Sequence, residues 1–246
     1  MGSDTEEAYF KKLRTQPKDW YYRDCNITYV YNSTGHRCHE IDQTDFDNYV
    51  LFVGDSHVEG IGLEYEKTFP YLFSQKLGIS YYNLGLGGTG SDVTLNNILT
   101  WLSRYKKPKY VFAYWSDPTR FVLQSKFIGF DKKNCLHAVL AGSERFRFKT
   151  FLVEGDANGY FNSKTYLAKN LIQNVCDNFS IPIFNFTLLD PGIKDLGTII
   201  CEIVDKARDD HAGMETNKII ADLLCEEFNN KYNNAAIHTT TRRESL

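Results

Sequence analysis

Short apolar runs of strand length, each ended by polar or glycine residues and followed by a helical pattern, constrain the fold of this chain most strongly. The first is Tyr49–Val53, an uninterrupted run of large apolar side chains. Similar runs occupy residues 79–84, 109–115 and 181–186, and helical patterns occupy 67–77, 91–105, 163–179 and 215–232. Uninterrupted apolar runs indicate strands buried on both faces, and strands that alternate with helices indicate a parallel sheet. We therefore predict a three-layer α/β/α fold around a flavodoxin-like parallel sheet.

The pattern changes along the chain and predicts its organisation. Residues 1–45 are polar and aromatic without sustained periodicity, and we expect an extension that packs on the core and contains a short helix near its start. Residues 46–234 carry the alternating pattern and form the predicted domain. Within it, residues 117–160 show no clear period and are predicted to be an irregular insertion. Residues 235–246 are rich in threonine and arginine and are predicted to be a flexible tail.

Composition is that of an ordinary globular protein. Hydrophobic residues make up 42% of the chain and charged residues 24%, which argues against a disordered or fibrous protein. The net charge is −3 without a basic block, which disfavours nucleic acid as a partner. No apolar run has the length of a membrane helix, and the acidic N-terminus lacks a signal-peptide pattern. We expect a soluble protein without membrane insertion, either cytoplasmic or part of an assembly not exported by a signal peptide.

Cysteine and histidine spacing does not indicate a metal site. The six cysteines are scattered without a Cys-x-x-Cys pair, so reduced, buried thiols are expected, and pairing of Cys25 with Cys38 is left open. His36, His39 and Glu40 lie close to Cys38, but no second cluster at ligand spacing accompanies them. We predict no metal and no cofactor.

Three polar turns directly follow predicted strands. The first contains Ser56, the second is the glycine-rich stretch 83–90, and the third contains Ser116. The carboxyl ends of parallel strands lie at one edge of a sheet, where ligands usually bind. A serine in such a turn can present its hydroxyl to a substrate, and closely spaced glycines let backbone N–H groups approach a ligand. These turns therefore predict a site built around a reactive serine.

His211 is the candidate base for that serine. It lies directly ahead of the last predicted helix, in the run Arg208-Asp209-Asp210-His211. Histidine can take a proton from serine, and a neighbouring carboxylate can orient its ring. The alternatives are that Ser56 caps the following helix and that His211 packs at a helix start.

These motifs, in this order, resemble the blocks of the SGNH hydrolases, also called GDSL-type esterases. Gly54-Asp55-Ser56 is similar to their nucleophile block, the stretch 83–88 to their second block, and Asp209 to His211 to their last block. The resemblance covers about residues 29–230. It implies the SGNH hydrolase fold and a serine ester hydrolase or acyltransferase that forms an acyl-serine intermediate. The catalytic residues it implies are Ser56, His211 and Asp209.

The resemblance also implies an oxyanion hole, and here the chain departs from the family. The backbone N–H groups of Ser56 and Gly88 are the implied donors. The family's third block usually supplies a further donor from asparagine, where this chain has Ser116. The Ser116 hydroxyl is the candidate third donor, although it reaches less far than a carboxamide. The last block usually has an acid three residues before the histidine, where Arg208 stands here. We favour Asp209 as the acid and leave Asp210 open.

Side chains beside the turns are candidates for substrate contact. Arg120 can hold an anionic group through two parallel hydrogen bonds or can form a surface salt bridge. His57 is expected to line the cleft, and Asp55 to accept backbone N–H groups of its own turn. The remaining candidates are Trp115 and Asp117.

Two functions of different kinds remain open. Residues 31–37 are similar to an N-terminal addition of family members associated with surface carbohydrate, and aromatic residues, 15% of the chain, can stack on sugars. The expected substrate is therefore a small acyl ester, such as an O-acetyl group on carbohydrate, that is hydrolysed or transferred. The altered third and last blocks favour the alternative of a weak or inactive SGNH-like domain that acts as a binding or structural module in a larger assembly.

A third interpretation concerns the glycine-rich turn. Gly85, Gly87 and Gly90 also fit the Gly-x-Gly-x-x-Gly pattern of a nucleotide phosphate site. No acidic residue stands at the end of the next predicted strand, as a ribose contact requires. The oligomeric state has no signal in the sequence.

Overall fold

A five-stranded sheet forms the centre of the computed structural model, which describes residues 4–118, 120–123, 137–140, 159–188 and 199–243. All of its neighbouring strands are parallel. The spatial order is β2-β1-β3-β6-β7, with β1 at Tyr49–Val53, β2 at Ser80–Asn83, β3 at Tyr110–Tyr114, β6 at Ile183–Leu188 and β7 at Ile199–Cys201. A separate antiparallel pair joins β4, Arg120–Leu123, to β5, His137–Leu140.

Two pairs of helices cover the sheet. Helix α3, Phe69–Leu77, packs on α6, Met214–Arg243, and α4, Ser91–Arg104, packs on α5, Tyr160–Asn178. The step from β1 to β2 crosses the sheet in the opposite direction to the step from β2 to β3, and such crossovers are right-handed, so the pairs cover opposite faces. The predicted three-layer α/β fold with a parallel sheet is confirmed. Two short helices, α1 at Glu6–Leu13 and α2 at Ser56–Glu59, precede and follow β1.

The elements that differ from the sequence prediction have local causes. Strand β7 is not predicted because three residues are too few to show a period. Helix α6 extends to Arg243, so residues 235–243 are helical where a tail is predicted, since no glycine or proline ends the helix earlier. The predicted irregular insertion contains β4 and β5, and its positions 119, 124–136 and 141–158 lie outside the described residues.

Aromatic side chains fill the core between the sheet and its helices. Every residue of β1 and β3 is buried, as expected for parallel strands covered on both faces. Phe52 stacks on Phe112 with ring centres 5.0 Å apart, and Phe73 of α3 meets Phe112 edge-on at 4.9 Å. Trp101 of α4 stacks on Tyr82 of β2 at 4.3 Å. Because large rings hold helices on both faces of the sheet, the strand ends and the turns after them start from a rigid support.

The N-terminal segment, residues 4–45, packs on this domain. Arg37 is 1% exposed and donates to the backbone carbonyl groups of Gly60 and Leu63. Asn32 donates to the hydroxyl of Tyr82 at 2.9 Å. A buried guanidinium is costly unless its N–H groups find acceptors, so these bonds fix the segment on the loop after α2.

The described cysteines are free thiols. They include Cys25 and Cys38, which do not pair with each other. Burial raises the pKa of the Cys38 thiol to about 12. No three side chains in the described ranges are grouped to bind a metal ion. Among the helices of those same ranges, none has the length and apolar character needed to span a membrane.

Candidate active site

The turn after β1 places Ser56 at the first position of helix α2. Asp55 is the helix cap, and its Oδ1 accepts the backbone N–H of His57 at 2.9 Å, as the sequence predicts. Gly54 has a φ of +154°, and a Cβ there would lie 2.5 Å from a methyl carbon of Val58. Only glycine therefore fits before the cap. Because Asp55 caps the helix, the Ser56 hydroxyl is not needed for capping.

Ser56, His211 and Asp209 form one continuous chain of hydrogen bonds. Nε2 of His211 lies 2.6 Å from Oγ of Ser56, and Nδ1 lies 2.7 Å from Oδ2 of Asp209. A carboxylate only accepts hydrogen bonds, so Asp209 fixes the ring proton on Nδ1 and leaves Nε2 to accept the Ser56 O–H. Ser56 and Asp209 are buried, and the His211 side chain is 14% exposed. The geometry is that of a nucleophile, a base and an orienting acid.

Asp209, and not Asp210, faces the histidine ring. Asp210 has a φ of +83°, which aspartate tolerates, and its carboxylate pairs with Lys12 at 2.5 Å. Gly62 provides the space for Asp209, because a Cβ at Gly62 would lie 2.3 Å from Oδ1 of Asp209. The structure thus separates the two acids that the sequence leaves open.

The N-terminal segment braces the loop that carries the acid and the base. Nε of Arg208 donates to Asp4 at 2.7 Å, and both side chains are largely buried. The other oxygen of Asp4 accepts the Tyr29 hydroxyl at 2.6 Å, and that hydroxyl accepts the backbone N–H of Gly62 at 2.8 Å. This path ends at the glycine that makes room for the acid.

The two backbone N–H groups of the predicted oxyanion hole have no acceptor among the described residues. One belongs to Ser56, at the first position of α2, and the other to Gly88 in the turn after β2. Gly88 has a φ of +76°, a conformation that favours glycine. These are the two groups that the family resemblance assigns to an oxyanion hole.

Hydrogen bonds within the glycine-rich turn argue against a phosphate site. The N–H of Gly85 is held by Oδ1 of Asn83 at 2.8 Å, and the N–H of Gly87 by the carboxylate of Glu59. A phosphate cradle needs these N–H groups free and no carboxylate beside them. The nucleotide interpretation is therefore wrong for this turn.

The turn after β3 differs from its predicted role. Ser116 is 5% exposed, and its hydroxyl donates to the backbone carbonyl of Thr89 at 3.2 Å, so its proton is already used. Trp115 is fully buried, and its indole N–H donates to Asn185 at 2.9 Å. The prediction that Trp115 contacts substrate is wrong, because its side chain is part of the buried core.

Arg120 is directed at the nucleophile turn. Its Nη1 pairs with Oδ2 of Asp55 at 2.5 Å, and the Asp55 side chain is 2% exposed. The backbone N–H of Arg120 donates to the carbonyl of Asp117, which is half-buried. This contact differs from both predicted roles. It is not a surface salt bridge, because the pair is mostly buried. It does not hold an anionic group of a ligand, because Nη1 is paired with a carboxylate of the protein itself. Arg120 connects β4 to the cap of the helix that carries Ser56.

His57 packs behind the base. Its ring centre lies 4.7 Å from that of His211 and 5.5 Å from that of Tyr114. Burial lowers the pKa of His57 to about 4, so its ring is neutral near pH 7. A neutral neighbour adds no charge that would oppose protonation of His211. His57 is thus a ring partner of His211 as well as a neighbour of the nucleophile.

Sequence reasoning missed two buried charged residues near the site. Glu59 is 5% exposed and Arg37 is 1% exposed. Charged side chains are expected at the surface, so no pattern marks them as buried. One signal was available for Glu59, since it follows Ser56 by three positions and therefore lies on the same helix face.

Comparisons with known proteins give low similarity. No protein-family model matches the chain, and no curated protein matches it. Three solved structures have similar folds: a putative lipolytic protein of the G-D-S-L family from Desulfitobacterium hafniense, a family two carbohydrate esterase from Clostridium thermocellum and a psychrotrophic esterase from Pseudoalteromonas.

The first is 12% identical and covers 73% of this chain and 98% of its own, with a TM-score of 0.45. The carbohydrate esterase is 17% identical and covers 76% and 65%, with a TM-score of 0.48. The psychrotrophic esterase is 13% identical and covers 76% and 100%, with a TM-score of 0.47. At this identity and TM-score, the activity of the chain has to be inferred from its own residues.

Proposed function

We propose that the chain is a serine esterase of SGNH type, acting on a small acyl ester through an acyl-serine intermediate. The observation that carries this proposal is the hydrogen-bonded chain from Ser56 through His211 to Asp209, with both distances below 3 Å. Nucleophile and base already lie within proton-transfer reach before any substrate binds. The sequence resemblance supports the same assignment of roles.

In the first half-reaction, Oγ of Ser56 attacks the ester carbonyl carbon while Nε2 of His211 takes the hydroxyl proton. Asp209 stabilises the imidazolium that forms. The bond from the carbonyl carbon to the leaving oxygen then breaks, and His211 returns the proton to that oxygen. In the second half-reaction, water or a sugar hydroxyl attacks the acyl carbon while His211 takes its proton. The bond from the acyl carbon to Oγ of Ser56 then breaks, and His211 passes the proton to Oγ. The products are an acid or a new ester.

The negative charge on the carbonyl oxygen needs donors in this mechanism. The free N–H groups of Ser56 and Gly88 supply two. Ser116 is a weak candidate for a third, because its hydroxyl donates to Thr89. Because the Ser116 hydroxyl is already used in this way, a second candidate function is favoured, that of a catalytically weak or inactive SGNH-like binding module.

An acylated carbohydrate is the substrate class that we propose. Tyr31 of the N-terminal segment is 44% exposed, and its hydroxyl donates to Glu59 of α2. An exposed aromatic ring of fixed orientation can stack on a sugar face. The resemblance of residues 31–37 to the carbohydrate-associated addition supports the same class.

The test combines covalent labelling with turnover. A fluorophosphonate probe should label the wild-type protein and the Ser103→Ala control, whose serine lies on the exposed side of α4, and should not label Ser56→Ala. Release of acetate from 4-nitrophenyl acetate and from glucose pentaacetate should show the same dependence on Ser56. Acetate found on an added sugar, rather than free, would identify a transferase. A folded protein that is neither labelled nor active would contradict the esterase and support the binding module.

A further inference from the structure

Glu59 connects the helix that begins at Ser56 to the turn that contains Gly88. It belongs to α2, the helix that begins at Ser56, and its Oε2 accepts the N–H of Gly87 from the neighbouring turn. A Cβ at Gly87 would lie 2.8 Å from that oxygen and 3.6 Å from Cβ of Ser56. The turn therefore passes directly against the nucleophile, and the next residue along it is Gly88.

The rest of the turn is fixed without Glu59. Nδ2 of Asn83 donates to the carbonyl of Val58 at 2.8 Å, and the N–H of Leu86 donates to the carbonyl of Gly54 at 3.1 Å. These bonds hold the beginning of the turn against the strand and helix. Glu59 acts farther along, on the residue just before the proposed donor. Loss of its carboxylate should thus move the donor more than it disturbs the fold.

The second carboxylate oxygen of Glu59 is held from the N-terminal segment. The Tyr31 hydroxyl donates to Oε1 at 2.7 Å. An isolated buried carboxylate would oppose the negative charge of an oxyanion nearby, so a compensating charge is needed. The guanidinium of Arg37 donates to the carbonyl of Gly60, the residue after Glu59, and the Glu59 charge favours the protonated guanidinium against the burial that lowers the pKa of Arg37.

We propose that Glu59 is a positioning residue that holds the N–H groups of Ser56 and Gly88 at the spacing of an oxyanion hole. Tyr31 holds Glu59 in turn, so the N-terminal segment contributes to catalysis without carrying a reacting atom. This inference rests on the proposed function, since it assigns a support to the same oxyanion hole. Its structural part, the fixing of Gly88 by Glu59, is testable without any turnover.

The kinetic arm compares variants at Glu59 and Tyr31 with 4-nitrophenyl acetate as substrate. Glu59→Ala should lower kcat by about 10²-fold with KM changed by less than about 3-fold. The reason is that a misplaced donor stabilises the transition state less and leaves substrate binding unchanged. Glu59→Gln keeps an acceptor for Gly87 and should recover most of kcat. Tyr31→Phe should lower kcat by several-fold, since only one support of the carboxylate is lost. Glu66→Ala, at an exposed carboxylate, is the matched control with wild-type kcat.

A transition-state analogue separates positioning from a general loss of structure. Phenylboronic acid forms a tetrahedral adduct with a reactive serine, so its Ki for Glu59→Ala should rise by the factor by which kcat/KM falls. The acid limb of the pH profile of kcat/KM should stay unchanged, because Glu59 does not touch His211. A Glu59→Ala protein with wild-type kcat and Ki would overturn the inference.

Amide hydrogen exchange gives a readout that does not need activity. Glu59→Ala should speed exchange in the peptide that contains residues 85–90, and Glu59→Gln should not. If the wild-type protein shows no hydrolysis that depends on Ser56, the proposed function fails, and exchange alone decides the positioning role. Unchanged exchange in Glu59→Ala would then overturn it. If Glu59→Ala does not fold, Tyr31→Phe decides by the same two measurements, and unchanged kcat and exchange there would contradict the inference.

Discussion

The turns after β1 and β3 occupy equivalent positions at neighbouring strand ends, yet they offer different chemistry. After β1, the hydroxyl of Ser56 lies 2.6 Å from an imidazole nitrogen. After β3, the hydroxyl of Ser116 is given to a backbone carbonyl of the adjacent turn. The neighbours differ, since Asp55 caps the first turn and leaves its serine hydroxyl unneeded for capping, whereas in the second turn the serine hydroxyl itself ties the turn to the one after β2. In this chain, the serine whose turn is capped by another residue is the one whose hydroxyl meets a histidine.

The largest effect is expected for Asp209, the acid in the hydrogen-bonded chain that begins at Ser56 in the turn after β1. Asp209→Asn should lower kcat by about 10³- to 10⁴-fold, because an amide at this position favours the wrong ring tautomer of His211. Asp210→Asn is the matched control, since that side chain is 59% exposed and pairs with Lys12 rather than with His211, and the kcat of this variant should stay within about 2-fold. Steady-state kinetics of the two variants makes the measurement. A larger loss in Asp210→Asn than in Asp209→Asn would reverse the assignment of the acid.

The next effect concerns Arg120, which comes after the β3 turn but pairs with the β1 turn. Arg120→Met should lower the free energy of unfolding by about 3 kcal/mol, because the buried carboxylate of Asp55 loses its counter-charge. Urea denaturation at pH 7 measures this. The double variant Asp55→Asn/Arg120→Met should be less destabilised than the sum of the single variants. Additive effects would show that the two side chains do not support each other.

The pH dependence of the free energy of unfolding tests the protonation of His57, the residue after Ser56. The folded protein holds His57 neutral down to about pH 4, whereas the unfolded chain takes up a proton near the usual value of 6.5. The unfolded state then binds more protons between these values, so the free energy of unfolding falls as pH decreases from 6.5 to 4, by about 3 kcal/mol from this group. Replacing His57 by Gln should remove this part of the slope in thermal melts across that range. An unchanged slope would show that His57 titrates normally.

The smallest effect is expected at the β3 turn itself. Ser116→Ala should lower kcat/KM by less than about 5-fold, far below the 10²- to 10³-fold typical of a lost oxyanion donor. The reason is that the hydroxyl already donates to Thr89. Hydrolysis of 4-nitrophenyl acetate measures the change. A loss near 10²-fold would mean that Ser116 turns to the substrate during the reaction, and the contrast between the two turns would disappear.

What the sequence predicts well is what depends on local pattern. Strand β1 is predicted residue for residue, because an apolar run ended by Gly54 has few alternative structures. Ser56 and His211 are singled out by their places next to such elements, and the structure brings them together. Their catalytic roles stay predictions until turnover is measured.

What the sequence does not predict depends on contacts between distant segments. The pairing of Arg120 with Asp55 joins residues 65 positions apart, and no periodicity marks it. Glu59 and Arg37 are buried because other segments of the chain supply their hydrogen-bond partners. Residue type alone predicts that both side chains are exposed. The choice between Asp209 and Asp210 depends on a single backbone angle and on the space left by Gly62.

The bond between Asp4 and Arg208 has a consequence for the order of folding. It joins residues 204 positions apart. It therefore stabilises the loop that carries Asp209 and His211 only after the segment around Asp4 has packed on the domain. In a refolding experiment, recovery of esterase turnover should therefore lag behind the signal of the aromatic core. Asp4→Asn should lengthen that lag, because the contact with Arg208 then lacks the negative charge of the Asp4 carboxylate. The chain would then become a sheet-containing globule first and a competent catalyst last.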